Sequence, residues 1–172
     1  MALYAIGDAE PTIDPDAYVH PEAVLIGAVV LGPGSSVWPG AVIRADEGPI
    51  VIGARTSIQD GTVVHTTRQN PTTIGDDVVV GHMVHLEGCT IEDLTLIGSG
   101  SVVLHQAVVQ RGSIVGANAV VTNRMVVPSG AMALGIPATI REAGVDPELI
   151  RLNADNYVER GRRYLRDLRR LD

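Results

Sequence analysis

The chain contains 172 residues, of which 45% are hydrophobic but only 3% are aromatic, and its formal net charge is −7. This apolar content disfavours intrinsic disorder, the acidic balance gives no electrostatic basis for binding nucleic acid, and the single cysteine excludes an intrachain disulfide framework. The first residues lack a signal-peptide pattern, and the longest apolar run, residues 23–31, is too short to span a bilayer. We therefore expect a cytoplasmic protein that binds neither nucleic acid nor membranes.

An aliphatic residue recurs every six positions from residue 13 to residue 127, with interruptions at 47–49, 69–72 and 86–91. The nineteen repeat positions are Ile13, Val19, Leu25, Leu31, Val37, Ile43, Ile52, Ile58, Val64, Ile74, Val80, Leu86, Ile91, Ile97, Val103, Val109, Val115, Val121 and Val127. A period of six does not fit an α-helix, and the intervening Gly, Pro, Asp and Asn residues favour turns. The pattern predicts a β-solenoid of short strands, each directing one aliphatic side chain inward.

Three such strands close one triangular coil of about eighteen residues, so the repeat predicts roughly six coils that contact only their neighbours. A prism filled with stacked aliphatic side chains needs no large rings, which agrees with the absence of Phe. We predict an all-β parallel β-helix of hexapeptide repeats over residues 1–140, ending near Leu134–Ala138.

A C-terminal α-helix packed on the solenoid is predicted over residues 141–172. Asp146 fits the N-cap and Pro147 the first helical position. Apolar residues recur at helical spacing; they are Ile150, Ala154, Tyr157, Val158, Gly161, Tyr164, Leu165, Leu168 and Leu171. We expect this stripe to dock on the solenoid and the arginines of the helix to face solvent.

Polar residues gather on one face of the predicted prism. When the faces are numbered from Ile13, the third face carries Leu25, Ile43, Val64, Leu86, Val103 and Val121. The residue after each aliphatic points outward, so Arg44, His65 and Glu87 should stack on three successive coils. His85 points outward beside Glu87.

The two edges of this face carry further polar residues. Gln59 follows Ile58 on the second face, and Asp60 and His82 occupy equivalent places at the corner that leads to the third face. Asp46 and Glu47 lie at the opposite corner. Ionisable and polar groups therefore crowd the middle coils.

Two histidines with a carboxylate or a third histidine are a common zinc-binding set. A flat solenoid face can hardly surround a metal, so we expect a site shared between subunits. The alternative is that these histidines are solvated or packed at an oligomer contact. Arg44 beside Asp46 or Asp60 would form an ion pair that fixes ligand geometry.

Four other residues are assigned no part in the site. We interpret His20 and His105 as surface residues, Trp38 as packing at an interface between subunits, and Cys89 as a turn residue without a role.

The stretches Arg44–Glu47, Gln59–His65, Gly81–His82 and Gly88–Ile91 resemble the γ-class carbonic anhydrase family of hexapeptide-repeat proteins. The resemblance extends over about residues 9–141, and the C-terminal helix also fits. It implies a left-handed β-helix, a homotrimer, and interfacial sites for Zn2+, with Fe2+ or Co2+ as alternatives.

The same resemblance implies metal ligands. His65 matches the first metal-binding histidine of the family, and His82 matches the second, which is contributed by a neighbouring subunit. The family's third histidine falls at Glu87, while His85 lies two residues earlier. Either could be the third ligand; we favour His85, because a neutral imidazole keeps the charge of the site closer to that of the family. Glu87 would then accept a proton or support a ligand.

Other matched residues are implied to support catalysis. Arg44 and Asp46 match an ion pair between subunits, and Gln59 and Asp60 match residues that orient bound water or bicarbonate. Glu47 matches a glutamate implicated in proton transfer.

The resemblance predicts a carbonic anhydrase-like lyase in which metal-bound hydroxide attacks carbon dioxide to give bicarbonate. Its activity could be weak, because the loop Thr66–Thr73 is short and lacks the acidic proton-shuttle residue of the family's active archetype. One alternative is a non-catalytic metal-binding trimer. The other is a CoA-dependent acyltransferase or thioesterase, because Leu134–Ala138 resembles the last coil of acetyltransferases.

Overall fold

The computed structural model describes residues 1–142 and 144–172. Over these residues the chain winds into a parallel β-solenoid of about seven turns, followed by one helix. The strands are β1 Ala2–Tyr4, β2 Thr12–Ile13, β3 Tyr18–Val19, β4 Val24–Leu31, β5 Ser36–Val37, β6 Val42–Ile52, β7 Ser57–Ile58, β8 Val63–His65, β9 Thr72–Ile74, β10 Val79–Val80, β11 His85–Glu87, β12 Thr90–Ile91, β13 Leu96–Ile97, β14 Val102–Val103, β15 Val108–Val109, β16 Ile114–Val115, β17 Val120–Val121, β18 Val126–Val127, β19 Ala131–Leu134 and β20 Thr139–Glu142.

The turns stack in the register that the repeat predicts. On the third face the inward residues pair from turn to turn in the order Leu25, Ile43, Val64, Leu86, Val103 and Val121. Strand β1 pairs with β4 ahead of this row. The solenoid therefore has about seven turns rather than six, because β1 precedes the regular repeat and carries no signal of period six.

The prism interior is filled by the aliphatic repeat residues. All but Ile13 and Val19 of the nineteen are buried, and both of these pack against the buried core. Cys89, expected at a turn, lies between β11 and β12 with its side chain in the core and is 1% exposed. The small Cys side chain behaves here as an apolar residue, which is its usual role when it is buried.

The solenoid ends in a hairpin in which β20 runs antiparallel to β19. Helix α1, Pro147–Asp167, follows, and the side chain of Asp146 caps it by accepting a hydrogen bond from the backbone N–H of Glu148 at 3.0 Å. The helix contacts strands β3, β5, β7 and β10, so it covers the second face. In the described part of the chain, no helix has the length and apolar character needed to cross a membrane.

Only the first part of the predicted apolar stripe is docked. Ile150, Ala154, Val158 and Gly161 are buried. The stripe was predicted to continue through three leucines that are instead exposed, namely Leu165, Leu168 and Leu171. The helix ends at Asp167, so the last two lie beyond it.

Trp38 does not form the interface packing predicted for it but lies beneath α1 in its own chain. It is 4% exposed, and its ring centroid lies 5.1 Å from that of Tyr164 and 5.7 Å from that of Tyr157. Its indole N–H lies 3.0 Å from the hydroxyl oxygens of Ser36 and Ser57. The second face is therefore used to hold the helix, and the third face is left for the polar cluster.

Candidate functional site

Arg44, His65 and Glu87 occupy successive turns of the third face. Arg44 pairs with His65 between β6 and β8, and His65 pairs with Glu87 between β8 and β11. Each residue directly follows a buried aliphatic residue of the repeat and therefore points outward. The predicted stack is confirmed, and it places an imidazole between a guanidinium and a carboxylate.

Asp46 belongs to the same cluster and contacts both Arg44 and His65. Its carboxylate forms an ion pair with Arg44, and its Oδ1 atom lies 3.3 Å from Nε2 of His65. The resemblance implied an ion pair between subunits, whereas here Arg44 and Asp46 pair within one chain. They can do so because β6 continues through the corner, so two residues separated by one position lie on the same side of an extended strand.

Glu87 is surrounded by three imidazole rings. Its Oε1 atom lies 2.8 Å from Nδ1 of His65, and its Oε2 atom lies 3.3 Å from Nε2 of His85. Nε2 of His105 lies 3.6 Å from Oε1. His105, interpreted from sequence as a surface residue outside the cluster, is therefore a neighbour of Glu87.

A comparison of residues at equivalent positions on successive turns would have placed His105 near Glu87. It lies one turn after Gly88 on the third face, because Leu86 pairs with Val103. Gly88 has no side chain to fill the space between them, so the ring of His105 reaches back toward Glu87. On the third face the sequence argument considered only the residues directly before and after each aliphatic, and His105 lies two positions after Val103.

Both carboxylates of the cluster are held in their charged form. Partial burial acts to raise the pKa of Asp46, but the hydrogen bond and charge of Arg44, with His65, bring it below its ordinary value. Burial likewise acts to raise the pKa of Glu87, and hydrogen bonds from His65 and His85 outweigh it, so this pKa is also lowered. The site is consequently rich in carboxylate oxygen and imidazole nitrogen.

The other predicted residues lie elsewhere in the chain. Asp60 and His82 meet at the corner between the second and third faces, with Oδ2 and Nδ1 3.0 Å apart, and both side chains are about half exposed. Gln59 is 4% exposed and lies in a groove on the second face that Tyr157 of α1 also lines. One chain therefore does not bring Gln59 to His65.

Glu47 lies at the opposite edge of the third face. Its carboxylate is 3.2 Å from the guanidinium of Arg68, which belongs to the loop after β8; the Arg68 side chain is largely exposed and that of Glu47 about half exposed. This position suits exchange of protons with water more than binding of a buried group.

Within residues 1–142 and 144–172 of one chain, no three His, Cys, Asp or Glu side chains are placed to hold a metal together. His65 nevertheless has a carboxylate beside each ring nitrogen. A metal-binding histidine commonly directs one nitrogen to the metal and donates from the other to a carboxylate. The nitrogen and oxygen donors of His65 and Glu87 fit zinc, with at least one further ligand required from outside this cluster.

Two segments match the family model described as bacterial transferase hexapeptide (six repeats), at residues 71–105 and 88–123. A carbonic anhydrase from Geobacillus kaustophilus is 39% identical over 165 residues, which cover 94% of this chain and 90% of that protein. Gamma carbonic anhydrase 2, mitochondrial, from Arabidopsis thaliana is 38% identical over 164 residues, 91% of this chain. The chain spans only 59% of the length of this plant relative.

A solved structure confirms the architecture. The crystal structure of a Bacillus cereus protein, proposed there to be an acetyltransferase, superimposes with a TM-score of 0.92 at 33% identity and covers 95% of this chain and 96% of that one. The match confirms the predicted left-handed parallel β-helix of hexapeptide repeats with a C-terminal helix.

Proposed function

Because the chain belongs to the γ-class carbonic anhydrase-like family of hexapeptide-repeat proteins, we propose that it is a metal-dependent lyase that hydrates carbon dioxide to bicarbonate. One observation carries the proposal: His65 and Glu87 lie in register on adjacent turns with their side chains 2.8 Å apart. Asp46 and Arg44 extend this arrangement on the far side of His65.

The metal would be held between copies of the chain in a homotrimer. One copy would supply His65 and Glu87, and the partner subunit's His82 would supply the third ligand. The half exposure of His82 at a corner of the prism supports this role, because its ring is accessible to another copy. Two histidines and one carboxylate suit Zn2+, and Fe2+ or Co2+ accept similar donors.

The contacts support Glu87 rather than His85 as the ligand beside His65. Glu87 is the in-register neighbour of His65, whereas the register partner of His85 on that strand is Val63. His85 contacts the other oxygen of Glu87 at 3.3 Å. We therefore assign His85 the role of supporting the carboxylate.

A bound zinc ion supplies Lewis acidity, which lowers the pKa of water and provides hydroxide near neutral pH. Arg44 and Asp46 would orient His65 through its Nε2 atom. Gln59 directly precedes the corner at which Asp60 and His82 meet, and we propose that Gln59 and Asp60 orient water and bicarbonate from that side of the interface. Glu47, about half exposed, would pass the released proton to solvent.

The first test is elemental analysis of protein prepared without added metal, followed by stopped-flow hydration of carbon dioxide. We expect about one metal ion per chain and loss of both metal and activity in His65→Ala and His82→Ala. His20→Ala is the matched control, because His20 lies on the second face and its Nδ1 accepts a hydrogen bond from the backbone of Glu22. Full hydration by His65→Ala at normal metal content would exclude the proposal.

The same preparation identifies the third ligand. If Glu87 binds the metal, Glu87→Ala should lose it while His85→Ala keeps most of it. The reverse result would assign the role to His85, as the charge argument from sequence favoured.

Two other functions make different predictions for these experiments. A metal-loaded trimer without hydration activity would indicate a non-catalytic metal-binding protein. The similarity to a structure proposed to be an acetyltransferase favours a CoA-dependent acyltransferase or thioesterase instead. Binding of acetyl-CoA would raise the melting temperature, so the absence of a shift would count against that function.

We propose a cytoplasmic location for the protein. The plant relative is described as mitochondrial, so location would be measured directly, by fractionation of the source cells.

A further inference from the structure

His105 has a buried ring nitrogen that lacks a hydrogen-bond partner among the described residues. The atom is Nε2, although about a third of the side chain is exposed. Oε1 of the Glu87 carboxylate lies 3.6 Å away, slightly beyond hydrogen-bond length. A buried nitrogen without a partner is costly, so the geometry favours a hydrogen bond formed by a small movement of either side chain.

Gly88 creates the space that His105 uses. A Cβ atom at residue 88 would lie 2.7 Å from Cδ2 of His105 and 2.7 Å from Cβ of Asn70, closer than real Cβ contacts. Gly88 also has a φ of +61°, a conformation that other residues adopt at a cost. Any larger residue here would displace the ring of His105 from Glu87.

The backbone around His105 is fixed on both sides. The N–H of Gln106 donates to the carbonyl of Gly88 at 2.6 Å, and the N–H of Arg124 donates to the carbonyl of His105 at 3.0 Å. The side chain of Gln106 donates to Asn70 at 3.0 Å. The backbone that carries the ring is therefore held in place by two adjacent turns and by the loop that contains Asn70.

We propose that His105 is a positioning residue that holds the carboxylate of Glu87 in the orientation needed for metal binding. The proposal rests on the proposed function, in which Glu87 is a ligand. His105 would donate from Nε2 to Oε1, the oxygen that also faces His65. It is not proposed as a ligand, because the proposal uses its Nε2 atom, 3.6 Å from Oε1, as the donor to Glu87.

This role gives His105 a measurable effect on metal affinity. Groups that orient a metal ligand typically contribute 10- to 100-fold to affinity. His105→Ala should therefore weaken zinc binding by about tenfold or more, measured by competition with a chromogenic chelator. His105→Gln should recover most of the affinity, because its amide N–H can reach nearly the same place, and His20→Ala should bind as the wild type does.

Spectra of the Co2+-loaded proteins add a readout that a general loss of stability would not change. We expect His105→Ala to shift the visible absorption bands of bound Co2+, and His105→Gln to restore them. Unchanged zinc affinity and unchanged bands in His105→Ala would overturn the proposal.

Nitrogen-15 NMR of the full-length protein before zinc is added tests the contact itself. The Nε2 proton of His105 should be protected from exchange in the wild type and should lose its protection in Glu87→Ala. If the proton exchanges equally fast in both, His105 does not donate to Glu87 and the inference fails. This measurement tests the contact between His105 and Glu87 even if His105→Ala does not fold. It also does so if the wild type binds no zinc and the proposed function fails.

Discussion

Glu87 shows how one residue can change the character of a site while the fold stays the same. A histidine at this position would be neutral or cationic, whereas Glu87 carries a negative charge that imidazoles of His65 and His85 stabilise by hydrogen bonds. With Asp46 on the other side of His65, the cluster attracts cations more strongly than an all-histidine set would. A metal ion whose charge is partly neutralised by these carboxylates would lower the pKa of water less. We therefore expect modest hydration activity.

Cys89 provides a prediction at the same scale. Burial in the core raises the pKa of its thiol to about 12, and the thiolate is the form that reacts and binds metal. We expect no labelling by a thiol-specific disulfide reagent at pH 8 in the native protein and complete labelling in denaturant, measured by absorbance. Rapid labelling of the native protein would show that the segment between β11 and β12, which contains Cys89, opens readily.

Helix α1 is the element that fixes which faces of the prism remain open. Its docked residues are small or aliphatic, and Gly161 lets the helix axis approach Tyr18, since a Cβ at 161 would lie 3.2 Å from Cβ of Tyr18. Trp38 and Tyr164 fill the space beside this contact. By covering the second face, the helix leaves the third face and its polar cluster available to other molecules.

Substitution of Gly161 tests this docking. Gly161→Leu should destabilise the protein by about 2 kcal/mol, because added atoms in a packed contact force neighbours apart. Gly161→Ala should be nearly neutral, since the gain in helix propensity of about 1 kcal/mol offsets the tight contact. Thermal unfolding followed by circular dichroism measures both, with Asn156→Leu on the exposed face of α1 as control. A stabilised Gly161→Leu variant would mean that the helix is not packed closely here.

The whole molecule is a rigid prism that cannot close around a ligand by itself. Each turn rests on its neighbours, the interior is filled with aliphatic side chains, and the polar groups are divided between a face and a corner. His65 and Glu87 are on the face, while His82 is at the corner. Assembly of several copies is therefore the physical means by which these groups could meet.

We accordingly predict a homotrimer whose stability depends on metal. Analytical ultracentrifugation should give three times the chain mass, and removal of metal by a chelator should lower the melting temperature, because a ligand that binds only the folded state stabilises it. Re-addition of zinc should restore the original value. A monomer, or a melting temperature that is insensitive to chelation, would contradict an interfacial metal site.

The sequence alone determined the solenoid, its register and the stack of Arg44, His65 and Glu87. These follow from a six-residue period that resumes after each of its three interruptions, because inward and outward positions alternate locally along each strand. The N-cap of α1 was also predicted from the sequence, because Asp146 and Pro147 act within one turn of the helix.

Only the tertiary structure decided the contacts between elements that lack a common period. Trp38 packs beneath α1 rather than at another subunit, and Leu165 stays exposed although it continues the helical stripe, because docking depends on where the helix meets the prism. The place of His105 one turn after Gly88 does follow from the repeat, but only the structure shows that its ring lies toward Glu87 in the space beside Gly88. Such contacts depend on the volume of residues on neighbouring turns, which a pattern along the chain does not record.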